Sequence, residues 1–531
     1  MKLLKKLGKF LLLTTLTSTS MNISAAQTRQ PNVILIYADD ISAREFPIYQ
    51  SSVWSGLRGN TVADPDKRAK TPVIDRLAKD GVYFDTAWAT TVCSPSRAMM
   101  MTGRYANIHK WWTNGDIGYL VEDGKRKRNV RLYETSPFQI GHLAKQAGYR
   151  SIWAGKTQMK GGKHDHSVYG FDEGVFTPGL NYPNPGPYSD FNVIKKGQRL
   201  YNQNTGEPIK KSYVQQGWYW KPNVQLMNHS SAPAKMQWWP NTEAAKKSYG
   251  VHTYGPDVEL DFIFDFIERQ QRNKQPFFVY HTTHLGHDAF DFLNPASKDK
   301  WPATPKVVWD GSGYTRITPR ITKTSSGFDT HNTLTDSGID HHIEYLDYQV
   351  WLYLKKLKTL GISDNTIIII TADNGTSGYG KHQHVQQRGT HVPFIIYAPG
   401  QVLTKQGQQK TLVSIADVMP TLADIFATKI PADYTIHGQS VWPYLTTDTV
   451  KHRDYLYSYK GPRQLIRGHY VMKDGNDDWW DVSQTPADLT SFKKITNWQQ
   501  VSAAHRQERK MLESVLPTFN NYDEAHDYVL K

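Results

Sequence analysis

Cysteine is almost missing: the 531 residues contain one, Cys93. No intramolecular disulfide can form, so stability has to come from a buried core. Apolar runs long enough to cross a bilayer are missing as well; the run nearest the N-terminus, Phe10 to Leu16, is far too short. No internal repeat or low-complexity tract interrupts the chain. Acidic residues are outnumbered by basic ones, 49 against 63, and the formal net charge of +14 favours polyanionic partners. Signatures of the common nucleic-acid-binding modules are absent, which makes nucleic acid the weakest of those partners, behind anionic membranes and sulfated polymers.

What is present begins with a leader. Lys2, Lys5, Lys6 and Lys9 precede the short apolar run, and Ser24-Ala25-Ala26 supplies small residues for cleavage. Residues 1–26 are read as a secretory signal peptide, so the mature protein is expected to be periplasmic or secreted, without a membrane anchor. The remaining length exceeds one typical domain. We expect a large domain over 27–430 and a smaller C-terminal one over 431–531.

The first apolar run of the mature chain, Asn32 to Tyr37, closes in Ala38-Asp39-Asp40. A later one, Ile367 to Ile370, closes in Thr371-Ala372-Asp373-Asn374-Gly375. Runs of this kind read as buried parallel strands, and in open α/β sheets ligands gather at the strands' carboxyl ends. Either pair alone could merely cap a helix. Hard oxygen donors of this type suit Ca²⁺ or Mg²⁺. Two further strands are expected over Arg150–Ala154, leading into Gly155-Lys156-Thr157-Gln158, and over Pro276–Tyr280, leading into His281 and on to His284 and His287. Helical spacing marks Pro72 to Asp80, Ile140 to Ala147, Pro256 to about Arg269, Ile343 to Leu357 and Ile415 to Phe426.

Residues 183–250 differ from their surroundings. They carry nine Lys/Arg against three acidic residues, interleaved with Trp218, Tyr219, Trp220, Trp238 and Trp239, and show no lasting helical period. Long loops with one hairpin, from Val193 to Gly206, are expected here. Trp218 and Trp220 are candidate platforms for sugar rings; a packed structural flap is the plainer alternative.

Cys93 opens the string Cys93-Ser94-Pro95-Ser96-Arg97-Ala98, which continues through Met101-Thr102-Gly103-Arg104. Pro95 suits the first turn of a helix, and the positive end of that helix favours an anion beside Cys93. The string resembles the signature of the type I, formylglycine-dependent sulfatases, and the resemblance extends over nearly the whole mature chain. It implies an alkaline-phosphatase-like α/β sandwich with a mostly parallel central sheet, plus a small C-terminal α+β subdomain. By the same resemblance Cys93 is oxidised by a formylglycine-generating maturation enzyme to a hydrated aldehyde that attacks sulfur, and Arg97 holds it. Asp39, Asp40, Asp373 and Asn374, with Cys93, would bind Ca²⁺. Lys156 and Lys381 would bind the sulfate, and His287 would protonate the departing oxygen, with His284 as competitor.

Two departures stand out. Gln158 occupies the place of a family histidine, and an amide is no base at neutral pH; His164, His166 and His284 are the candidate substitutes. The stretch Gln386 to Pro393 is one residue longer than the family pattern, which leaves Lys163 and Arg388 as alternates to Lys381. The resulting expectation is hydrolysis of sulfate esters on a sulfated polysaccharide or its oligosaccharides. A phosphate or phosphonate ester hydrolase and a non-catalytic binder of sulfated glycan are the alternatives.

Overall fold

The computed structural model describes residues 30–56, 59–115, 119–128, 130–159, 168–177, 193–196, 199–202, 208–209, 224–229, 236–239, 254–287, 304–317, 322–324, 327–329, 335–336, 338–519 and 522. The leader, Lys163, His164, His166, Trp218 and Trp220 lie outside them.

The main sheet has eleven strands among the described residues. In chain order they are β1 (Asn32–Ala38), β2 (Val82–Trp88), β3 (Arg150–Gly155), β4 (Glu173–Phe176), β5 (Val224–Met227), β6 (Met236–Trp239), β7 (Phe277–Thr282), β8 (Thr366–Ala372), β9 (His391–Val392), β10 (Phe394–Tyr397) and β11 (Gly407–Ser414). Their order across the sheet is β6-β5-β4-β3-β7-β1-β8-β10-β2-β9, with β11 also on β2. The central run β4, β3, β7, β1 and β8 is parallel throughout. Every residue of β1, β7 and β8 is buried, which is why these strands read as unbroken apolar runs. β9 and β10 follow one another along β2, and the pairing slips at Pro393, which has no N–H to give.

Helices cover both faces. They are α1 (Pro72–Asp80), α2 (Cys93–Thr102), α3 (Ile140–Gln146), α4 (Gly255–Arg272), α5 (Ile339–Thr359) and α6 (Val418–Ile425). The alternation along β7 sorts the two layers. Phe277 packs on Phe266 of α4 and His281 on Tyr353 of α5, whereas Phe278 meets Phe426 just past α6. The expected α/β sandwich is therefore borne out.

Beyond residue 455 the strands Leu456–Lys460, Arg463–Arg467, Val471–Lys473, Trp479–Asp481 and Lys493–Lys494 form an antiparallel sheet in sequence order, followed by α7 (Ala503–Val515). Buried contacts tie this sheet to the rest: Ser458 Oγ donates to the Ala89 carbonyl at 2.9 Å, and Arg453 pairs with Asp417.

The 183–250 segment holds more regular structure than its sequence suggested. Val193–Lys196 and Arg199–Asn202 form the expected hairpin, joined by Pro208–Ile209. The segment also gives the main sheet two antiparallel edge strands, β5 and β6. Four-residue strands are too short to leave a readable period, and β4, on which β5 pairs, is distant in sequence.

Candidate active site

The carboxyl ends of β1, β3, β7 and β8 meet the start of α2, and there the candidate residues converge. β1 delivers Asp39 and Asp40, β8 delivers Asp373 and Asn374, β3 delivers Lys156, and the turn after β7 delivers His284 and His287. Cys93 is the first residue of α2, fully buried, with Arg97 one turn on. Two tight turns make the convergence possible. Asp40 has a φ of +55°, and Gly286, at φ +107°, lies so close to Asp39 that a Cβ there would come 2.1 Å from the Asp39 carbonyl oxygen.

Cys93 Sγ lies 3.5 Å from Asp40 Oδ1 and 3.8 Å from Asp39 Oδ1. Arg97 donates to Asp373 Oδ2 at 2.7 Å and stands 3.4 Å from Asp39 Oδ1. Lys156 Nζ donates to Asp39 Oδ2 at 2.5 Å, and Lys381 Nζ to Asp40 Oδ2 at 2.7 Å. His287 Nε2 sits 2.9 Å from Lys381 Nζ and 3.6 Å from Asp40 Oδ2. Asn374 donates to Asp40 Oδ1, as does Ser377 Oγ to Asp40 Oδ2, at 2.8 and 2.6 Å. Ser377 was not singled out from sequence, because a serine in a Gly-rich turn carries no distinguishing signal.

The charges set each other's ionisation. Burial pushes Asp39 up, but Lys156 first and then His287, Arg97 and Lys381 outweigh it and hold the carboxyl well below its usual range. The same contest, with Lys381 foremost among the cations, leaves Asp40 at about 2. Burial and then the neighbouring Asp39 push Asp373 up to about 6, against the pull of Arg97. Burial, followed by Asp373, pushes the Cys93 thiol far up. As a thiol among three carboxylates Cys93 is a poor nucleophile, since the thiolate is the reactive form.

The donor set fits a hard divalent cation. Asp39, Asp40, Cys93 and His287 each offer an atom within 4.8 Å of the others. Asp373 joins the group through its bond from the Asp40 N–H at 2.9 Å. The Asn374 Oδ1 is buried with no hydrogen-bond partner, an orphaned acceptor that a cation would satisfy.

Other candidates fall elsewhere. His284 lies against Glu259, its Nδ1 3.6 Å from the Glu259 Oε1. Arg388 is exposed, with its guanidinium 5.9 Å from the Tyr379 ring. Gln158 is half-buried in a left-handed conformation, φ +45°. Glu259 was not picked out from the sequence.

The family model described as Sulfatase matches residues 31–428. The chain belongs to the sulfatase family. Among its relatives are an N-acetylglucosamine-6-O-sulfatase of Bacteroides thetaiotaomicron, 22% identical over 94% of this chain and 89% of that one, and an ulvan-active sulfatase of Formosa agariphila, 24% identical over 76% and 63%. In fold it is similar to the crystal structure of Ps i-CgsB in complex with k-i-k-neocarrahexaose, with a TM-score of 0.58, 20% identity, and coverage of 93% and 94%. Of the three readings open from sequence, family membership selects the sulfuric ester hydrolase. No helix among the described residues is long and apolar enough to cross a membrane.

Proposed function

We propose that this sulfatase removes sulfate from a sulfated carbohydrate, a polysaccharide or its oligosaccharides, at the Cys93 site. The observation that carries the reading is the convergence of Cys93, Arg97, Lys156, Lys381 and His287 on one strand-end cluster with Asp39, Asp40, Asp373 and Asn374. Oxidised to formylglycine by a maturation enzyme, residue 93 would supply the hydrated-aldehyde nucleophile that its raised thiol pKa denies it as cysteine. Ca²⁺ held by Asp39, Asp40, Asp373 and Asn374 beside Cys93 would neutralise sulfate oxygens as a Lewis acid.

The chain's own groups do the rest. Arg97, locked between Asp373 and Asp39, fixes the geometry at residue 93. Lys156 and Lys381 now pair with the outer oxygens of Asp39 and Asp40; an entering sulfate offers them equivalent partners, and their charges oppose its repulsion of a nucleophile. His287, against Lys381 and Asp40, would give a proton to the departing sugar oxygen.

The carbohydrate assignment draws on the relatives' names, the net charge of +14 and the basic, tryptophan-bearing 183–250 segment. Residues 1–26 act in this reading as an export signal, which brings the enzyme to polymers outside the cytoplasm. The domain division extends it: 27–430 holds the chemistry and 431–531 supports it. A panel of sulfated glycan fragments, run beside an aryl sulfate and an aryl phosphate, tests the proposal. Sulfate released from glycan fragments is the expected result; turnover of the aryl phosphate alone would overturn it.

A further inference from the structure

Arg44 and Glu45 are each only 2% exposed, yet the chemistry above uses neither. They sit in a short turn, Ala43–Glu45, close behind Asp40. Glu45 accepts four hydrogen bonds. Its Oε1 takes the Arg44 Nε–H at 3.1 Å, the Ser55 hydroxyl at 2.7 Å and the Thr376 hydroxyl at 2.9 Å. Its Oε2 takes the Ser55 N–H at 2.8 Å. Both hydroxyls are already committed as acceptors, Thr376 Oγ1 to the Ser42 N–H at 3.0 Å and Ser55 Oγ to Arg44 Nη2 at 2.8 Å. Every group around Glu45 is therefore a donor. A carboxylate satisfies such a set, and an amide in its place would turn a donor on one of them.

Thr376 is the link to the Cys93 site. Its carbonyl accepts the N–H groups of Tyr379, Gly380 and Lys381 at 3.1, 2.7 and 3.1 Å, closing the turn that ends in Lys381. Its own N–H donates to Ser42 Oγ at 2.9 Å. The turn brings two side chains to one oxygen: Lys381 Nζ and Ser377 Oγ both donate to Asp40 Oδ2. Arg44 supports the same turn, its guanidinium carbon 3.1 Å from the centre of the Tyr379 ring, while Nη1 donates to Thr61 Oγ1 at 3.2 Å. The Tyr379 hydroxyl meets Thr490 Oγ1 at 2.7 Å. Arg44 and Glu45 thus join three pieces of chain: the exit of β1, the ribbon of Trp54–Ser55 with Thr61–Val62, and the 376–381 turn beyond β8. Gly59 lets that ribbon lie on the turn, since a Cβ there would come 2.6 Å from the Ser377 carbonyl oxygen.

We propose that Glu45 is a positioning residue for sulfate binding: through the Thr376 hydroxyl it sets the 376–381 turn, and so where the Lys381 ammonium stands beside Asp40. This rests on the reading that Lys381 binds the substrate sulfate at the Cys93 site. Lysine carries its charge on a flexible stem, so the ammonium is placed only as well as the backbone beneath it is held. That backbone includes Gly375, Gly378 and Gly380 and has little stiffness of its own. The reciprocal bonds of Ser42 with Thr376 fix the turn's start against β1, and Glu45 orients the hydroxyl on which they depend.

Glu45→Ala removes the acceptor. The expected result is a KM for an aryl sulfate raised about 10-fold with kcat little changed, the pattern of binding lost equally from ground and transition states. Competitive inhibition by inorganic sulfate should weaken by the same factor. Thr376→Val, close in size and without the hydroxyl, should reproduce both effects even where Glu45→Ala does not fold, and Thr376→Ser should restore the wild-type values. In a Lys381→Ala background either change should add less than about twofold, because the group it positions is gone. Unchanged KM in both single variants, a full loss that persists in the Lys381→Ala background, or recovery of the loss by added Ca²⁺ overturns the proposal. If wild type releases no sulfate from any ester, the sulfatase reading has failed instead. A crystal structure of Thr376→Val then decides the positioning by itself: Lys381 displaced from Asp40 supports it, and Lys381 still bonded to Asp40 overturns it.

Discussion

Three cations, Arg97, Lys156 and Lys381, face three carboxylates, Asp39, Asp40 and Asp373, and each lysine holds a carboxylate oxygen that a substrate sulfate could replace. In the proposed reading His287 differs from them in moving a proton, which sets its test. A sugar alkoxide is a poor leaving group and an activated phenolate a good one. His287→Ala should therefore cost about 10²–10⁴-fold on a carbohydrate sulfate, and far less on a nitrophenyl sulfate. Equal losses on both would place His287 in sulfate binding only. At this scale the sequence was informative where a residue type is improbable in its setting: paired acids closing an apolar run, a single cysteine before a proline and an arginine. It was silent on Glu259. Its neighbours give an apolar helix face, and only the fold brings His281 and His284 up to it.

Elements carry the site through their ends. β1 and β8 were legible because strands buried on both faces must be apolar throughout, and the polar residue that follows then stands out. β5 and β6 were not, because β5 pairs with β4, far back along the chain, and β6 joins the sheet only through β5. The turn after β7 matters most: it must pass Asp39 closely enough that Gly286 has no room for a side chain. Gly286→Ala places a Cβ on the Asp39 carbonyl at a φ of +107°. We expect a stability loss of about 1–3 kcal/mol from the strained backbone alone, more from the clash, and a displaced His287. Thermal unfolding and activity measured on the same sample check this; a variant that keeps both would show that the turn can yield.

At the scale of the whole molecule, the antiparallel sheet beyond residue 455 is fastened to the main body through Asp417. Arg453 Nε donates to Asp417 Oδ2 at 2.8 Å, His452 Nε2 stands 2.9 Å from the same oxygen, and all are buried. Removing one partner of a buried pair leaves a stranded charge, so Arg453→Ala should destabilise by about 3–5 kcal/mol. Burial pushes Asp417 up, but Arg453 and then His452 hold it at about 2, below an unfolded value of about 3.9. Its stabilisation is therefore complete above about pH 4 and is lost as pH falls toward 2. Urea unfolding of wild type and Arg453→Ala across that window should show the two curves converging at low pH; a constant difference would remove Asp417 from the account. The central claim concerns chemistry at one atom position, and inorganic sulfate is its direct product. The decisive measurement is sulfate release from a sulfated oligosaccharide by wild type and by Cys93→Ala, each produced with a formylglycine-generating enzyme. Release by wild type and only background from an equally folded Cys93→Ala is the predicted result; comparable release by both would contradict it.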